Sequence, residues 1–220
     1  GDEYWDNVTL LMDGSGTPTT NLKDGAAILT SSGVTTTSTD PGSHPYATDF
    51  LVFNATQDMK ITNDTYVAFG NGDFTIETWI YRTSTEFGQA LFDGRSSGGV
   101  GPLIYLEDNG GGTPNKLILN LGGDKITGDT TLLVNTWYHV ALTVEDNIAK
   151  LFLDGDQEGS NWNSEANSFT PQTALEIGDK SYGASSLNPF GGHMTDIRIT
   201  KGVARYTEAF TLPTASFPTR

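Results

Sequence analysis

The chain has 220 residues, with 27 acidic against 12 basic side chains, a formal charge of −15 and no cysteine. Such a charge repels nucleic-acid phosphates and anionic membrane surfaces. The missing thiols exclude disulfides, thiolate metal sites and cysteine nucleophiles. No apolar run approaches the roughly 20 residues of a membrane-spanning helix, and 26 glycines among many Thr, Ser, Asn and Asp point to numerous tight turns. The acidic excess serves solubility or offers carboxylates to a hard cation such as Ca²⁺.

In chain order, strand signals fall at Val8–Met12, Phe50–Asn54, 59–62, 66–69, Phe74–Arg82, 89–92, 103–107, Lys116–Leu121, 131–134, 138–144, 149–153, 174–177 and 194–200. Turn residues part most of them, the pattern of a sandwich rather than of βαβ units. The Ser/Thr-rich stretch 31–49, with Pro41, Gly42 and Pro45, reads as an exposed loop, as do 94–101, 110–115 and 159–170.

Two strands alternate clearly. Phe74, Ile76, Thr78 and Ile80 share one face, which suits a core, while Thr75, Glu77, Trp79 and Tyr81 look toward solvent or a groove. Tyr138, Val140, Leu142 and Val144 alternate likewise against Trp137, His139, Ala141 and Thr143. Asn147 then turns the chain into 148–153, and Asp154-Gly155 marks a second hairpin, since both residues tolerate positive φ.

Several segments carry a family resemblance: Val8-Thr9-Leu10-Leu11-Met12-Asp13-Gly14, Phe50-Leu51-Val52-Phe53-Asn54, residues 70–81, 135–141 and 151–155, and the close Asp196-Ile197-Arg198-Ile199-Thr200-Lys201-Gly202-Val203-Ala204-Arg205-Tyr206-Thr207 with Phe210, Pro213, Phe217 and Pro218. In this order they resemble the laminin-G-like, concanavalin A-like lectin/glucanase domains found in phage tail and virion proteins. One departure stands at Asn54-Ala55, where the family often has Asp-Gly after Phe. The resemblance implies an all-β, two-sheet antiparallel jelly-roll sandwich, a single domain over 1–220. It also implies one structural Ca²⁺ where the first strand, the turn before Phe74 and the last strand meet, with Asp13, Gly72, Asp73 and Asp196 as ligands.

Glucanases of this fold use a Glu-x-Asp-x-x-Glu run, which places alternate carboxylates in one groove. This chain has no such run. Glu77 has Thr75 and Trp79 as same-face neighbours, Glu176 and Asp179 straddle Gly178, and Asp154, Asp156 and Glu158 read as a turn. His44, His139 and His193 are scattered, and there is no nucleophile elbow or phosphate loop. A binder needs aromatic plates for sugar C–H faces and short polar groups for hydroxyls. Glu77, Trp79, Tyr81, Trp162 and Tyr182 are the candidates; Trp5 and Trp137 read as packing residues.

The reading is a non-enzymatic module of a phage virion (tail fibre, receptor-binding or capsid decoration protein), extracellular on the particle. Its partners would be a host-surface glycan or polysaccharide and other virion subunits, without nucleic acid or membrane insertion, and its edges leave a homo-oligomer open. A purely structural virion subunit and a divergent glycoside hydrolase are the alternatives.

Overall fold

The computed structural model describes residues 1–25, 29–62, 64–86, 88–107, 115–181 and 187–220. Their strands are β1 (Val8–Met12), β2 (Leu29–Ser32), β3 (Thr35–Thr37), β4 (Phe50–Asn54), β5 (Asp58–Ile61), β6 (Phe74–Arg82), β7 (Gln89–Asp93), β8 (Pro102–Leu106), β9 (Lys116–Leu121), β10 (Asp124–Thr131), β11 (Trp137–Glu145), β12 (Ile148–Leu153), β13 (Asp156–Asn163), β14 (Leu175–Ile177), β15 (Asn188–Pro189) and β16 (Gly191–Lys201). One helical turn, α1 (Asp64–Val67), and a 3-10 turn at Trp5–Asn7 complete them.

The strands form two facing sheets of a jelly-roll sandwich. Sheet I runs β13-β12-β11-β6-β16-β4-β3, with β1 also on β16. Sheet II runs β10-β9-β8-β7-β14-β5-β2, with the two-residue β15 beside β7. All pairings are antiparallel except β15 with β7. Between the sheets, Phe74, Ile76, Ile80, Leu142, Phe92 and Ile177 lie at 3% exposure or less. The inward face read from the alternation of residues 74–81 therefore holds. Burying apolar area at roughly 25 cal/mol per Å² is what drives the two sheets together.

The central hairpins form as their turn residues dictate. Asp146 and Asn147 adopt φ of 47° and 65°, and Glu145 pairs Ile148. Asp154 and Gly155 adopt 50° and 86°, and Leu153 pairs Asp156. A Cβ on Gly155 would strike the Phe210 carbonyl oxygen, so this turn also needs glycine for close packing.

Several elements differ from the sequence expectation, among them strands β2 and β15, which no strand signal marked. The strand expected at 66–69 does not form; a helical turn over Asp64–Val67 takes up its start. The strand expected at 131–134 lies earlier, as β10. Residues 156–163, expected as turn and loop, form edge strand β13; its polar composition fits because most of its residues face solvent. Finally, 31–49 is not a plain exposed loop. Thr35–Thr37 pairs with β4, as β-branched residues favour. Val34 and His44 are buried, at 6% and 8% exposure.

The outer face of sheet I is covered as well. Residues 40–47 lie over one part of it. The closing segment lies over another: Arg205 N donates to Thr75 Oγ1, Phe210 N donates to Gly155 O, and the Tyr206 and Phe210 rings stack at 3.6 Å. Thr75, Glu77, Trp79 and Tyr81 are all buried in consequence, which corrects the expectation that this face is open.

Candidate functional site

Glu77 has no exposed surface. Its Oε1 accepts from Arg198 Nε at 2.8 Å and lies 2.7 Å from Nη2. Its Oε2 accepts from the Tyr206 hydroxyl at 2.7 Å and lies 3.2 Å from His139 Nε2. Burial alone would raise this carboxyl, but the Arg198 charge, then His139 and Tyr206, hold it at about 2. Arg198 and Arg205 both reach Asp2, and Arg198 stacks 3.5 Å from the Phe217 ring centre. Glu77 is thus a structural ion pair beneath the closing segment and does not contact a ligand groove.

Trp79 and Tyr81 are likewise structural. Trp79 Nε1 donates to the Tyr46 hydroxyl, and Tyr81 OH donates to Pro41 O. The His44 imidazole sits edge-on among Tyr46, Trp79 and Trp137, at 4.7–4.8 Å between ring centres. The loop fills the aromatic cradle that the strand face offers. Tyr182 lies outside the described residues.

Of the four expected metal ligands, the fold brings two together. Asp196 sits at a bulge in β16, with φ of 48° and a register shift between Thr195 and Arg198. Thr195 Oγ1 donates to the carbonyl oxygens of both Asp13 and Asp49. A void of about 20 Å³ lined by Asp13, Thr48, Asp49, Thr195 and their neighbours lies beside them, room for one water-sized occupant. Asp196 Oδ2 accepts from Tyr46 OH at 2.7 Å, while Oδ1 is buried with no hydrogen-bond partner among the described residues. Burial, with the Asp13 charge, pushes the Asp196 carboxyl up to about 7. Gly72 and Asp73 lie elsewhere. Asp73 O accepts from Gly202 N and its Oδ1 from Asp146 N, at the far end of β6. Among the described residues no three acidic or histidine side chains converge on one metal position. The orphaned Asp196 oxygen with the neighbouring Asp13 carboxylate and carbonyls nevertheless suits one hard, oxygen-seeking cation.

Sheet II carries another carboxylate group that sequence reasoning left undecided. Glu176 pairs Lys60 at 2.8 Å, and burial raises its carboxyl to about 7. Across the register from it, Asp93 is held bidentately by Arg95. These carboxylates are engaged by cations.

One open feature lies between the β9–β10 hairpin and the loops 94–101 and 164–174. A cleft of about 370 Å³ is lined by Val100, Leu121, Gly122, Lys125, Ala166, Asn167, Ser168 and Gln172. This volume falls within the roughly 300–1,000 Å³ of small-ligand sites. Its walls are tied in place: Gln172 N donates to Gly94 O, and Asn167 N to Ser164 O. Lys125 Nζ lies 5.5 Å over the ring of Trp162, which is half-buried and packs edge-on to Phe169. Val100 is 55% exposed at the rim. Trp162 does not itself line the cleft and, of the predicted site residues, is the one that meets it through Lys125. The lining residues gave no sequence signal, because they come from four separate segments.

The chain matches a family model described as the concanavalin A-like lectin/glucanases superfamily over residues 53–208. No curated protein matches it. Among solved structures it is similar to domain 4 of AbnA, a GH43 extracellular arabinanase from Geobacillus stearothermophilus, in complex with arabinotriose; identity is 12%, TM-score 0.68, and 90% of this chain and 94% of that one are covered. It is also similar to a putative carbohydrate binding protein from Bacteroides ovatus, with 26% identity, TM-score 0.52, and coverage of 62% and 39%. A third is the botulinum neurotoxin type C structure described as entering cells through interaction with two ganglioside molecules, with 14% identity, TM-score 0.60, and coverage of 96% and 50%. The chain thus spans half or less of the last two. With its two facing sheets and a family match that takes in most of its length, the chain belongs to the concanavalin A-like lectin/glucanase superfamily.

Proposed function

We propose that this chain is a non-catalytic glycan-binding domain that takes a short saccharide in the cleft flanked by Trp162. The observation that carries the reading is the cleft itself: a preformed, ligand-sized hollow with apolar rim groups and the neutral polar side chains of Asn167, Ser168 and Gln172. Apolar groups suit sugar C–H faces and amides suit hydroxyls. The neighbours described as binding or holding sugars support the choice of ligand class. The non-catalytic part is supported by the missing Glu-x-Asp-x-x-Glu run and by Glu77 and Asp93, each locked in a buried ion pair.

A panel of plant, bacterial and animal oligosaccharides, arabino-oligosaccharides included, tests this by calorimetry. At least one should bind. Trp162→Ala and Gln172→Ala should each weaken that binding by about 5- to 30-fold, the worth of roughly 1–2 kcal/mol, with Trp162→Phe and the melting temperatures separating lost contact from lost packing. Binding untouched by both substitutions removes the cleft from the site. Release of reducing ends from a bound polysaccharide would establish hydrolysis instead.

The domain's place is, in our proposal, the surface of a phage virion beside other virion subunits, a placement that rests on the resemblance of residues 196–218. A gene standing among tail and capsid genes is the expected finding, and any other neighbourhood counts against it.

One structural Ca²⁺ belongs to the same proposal, held by Asp13 and Asp196 with the nearby carbonyls. It would neutralise the Asp196 oxygen and pin residues 46–49 to β1 and β16. Added Ca²⁺ should raise the melting temperature and EDTA lower it, by mass action on the folded state. The isosteric Asp196→Asn should lose that response. An unchanged melting temperature in both would sink the metal.

A further inference from the structure

The cleft beside the β9–β10 hairpin is lined by one charged residue, Lys125. That is a notable place for a cation in a chain with 27 acidic and 12 basic side chains. The described cations Lys60, Arg95 and Arg198 are spent in ion pairs. Lys125 is held differently. Its ammonium lies over the Trp162 ring, at 5.5 Å from the centroid, with no carboxylate within ion-pair distance among the described residues. Its sequence neighbour Asp124 is turned to other partners, accepting from Asn120 Nδ2 at 2.7 Å and Tyr105 OH at 3.1 Å. An ammonium over an indole face keeps its charge and its donors while being fixed in place.

We propose that the cleft selects an acidic saccharide, one whose bound ring carries a carboxylate or sulfate, and that Lys125 is the residue that recognises that group. The inference rests on the glycan reading of the same cleft. Asn167 and Gln172 supply neutral amide donors in the same cleft, and Val100, 55% exposed, supplies apolar surface for the ring. The molecule's −15 charge opposes any anion at long range. At physiological salt, however, exposed charges beyond roughly 8 Å are largely screened. A charge-assisted hydrogen bond made in the cleft acts inside that distance, so Lys125 decides the sign of the preference.

Calorimetry on the full chain tests this with matched pairs: trigalacturonate against galactotriose, and a sulfated against an unsulfated chondroitin oligosaccharide. The acidic member of at least one pair should bind about tenfold tighter, which is roughly 1.4 kcal/mol, and the preference should shrink as salt rises. The uronate pair and the sulfate pair tell the two anionic groups apart. Lys125→Gln should bring the acidic-to-neutral affinity ratio to about one, and Lys125→Arg should retain the preference. Melting curves of both variants confirm that they fold. Equal binding of acidic and neutral members, or a preference that survives Lys125→Gln, overturns this inference and leaves the glycan reading standing. A wild-type chain that binds no saccharide overturns both.

Discussion

Glu77 carries its charge without any exposed surface, and it can do so because Arg198, Tyr206 and His139 surround both oxygens. Breaking a buried pair on one side costs about 3–5 kcal/mol, since the partner charge stays buried. Glu77→Ala should therefore lower the melting temperature by roughly 10 °C at neutral pH, at about 2–4 °C per kcal/mol for a chain of this size, and leave saccharide binding in the cleft unchanged. The pH dependence follows from the carboxyl held at about 2 in the folded chain against an ordinary 4.5. That difference stabilises the fold above pH 4.5 and is lost as pH falls toward 2. Melting curves at pH 7 and pH 3 should show a smaller acid loss in Glu77→Gln than in the wild type. An equal loss would assign the acid sensitivity to other groups. Alternation alone placed Glu77, Trp79 and Tyr81 on one face correctly. It could not reveal that two distant segments cover that face.

At the scale of elements, the loop 40–47 shows why hydropathy missed a packed segment. It anchors itself with polar atoms: Asp40 Oδ1 accepts from Gly42 N, and His44 Nδ1 accepts from Ala47 N at 2.9 Å. Nothing in Ser, Pro and Gly composition announces that a single imidazole will plug an aromatic cradle. Burial lowers His44 to about 4, with Asp40 opposing. A histidine depressed from 6.5 stabilises the fold above pH 6.5 and loses that contribution as pH falls toward 4. Urea unfolding at pH 7 and pH 5 should show a smaller stability loss in His44→Gln than in the wild type. Identical losses would mean that the loop does not report on this proton. The hairpins were legible for the opposite reason, because Asp-Asn and Asp-Gly fix the turn locally. Strand β13 was not, because an edge strand facing water has little apolar alternation to read.

Over the whole molecule, the sandwich was legible because six weak segments stand in the family's order across nearly the full chain. The candidate cleft was not, since Val100, Lys125 and Gln172 meet only when the β9–β10 hairpin and two loops distant in sequence converge. Asp13 and Asp196 are similar: they lie 183 positions apart and become neighbours because Met12 pairs with Ile197. That pairing of the first and last strands has a mechanical consequence. Val8 pairs with Thr200 and Met12 with Ile197, so β1 and β16 run antiparallel and their outer ends emerge together. Tension between the two ends therefore peels the ladder open one pair at a time and does not shear it. At the mouth of that zipper stands Asp2, gripped by Arg198 and Arg205, with its N–H donated to Arg220 O. The same arginine that balances Glu77 thus also acts as the clasp that a pulling force meets before the first strand pair.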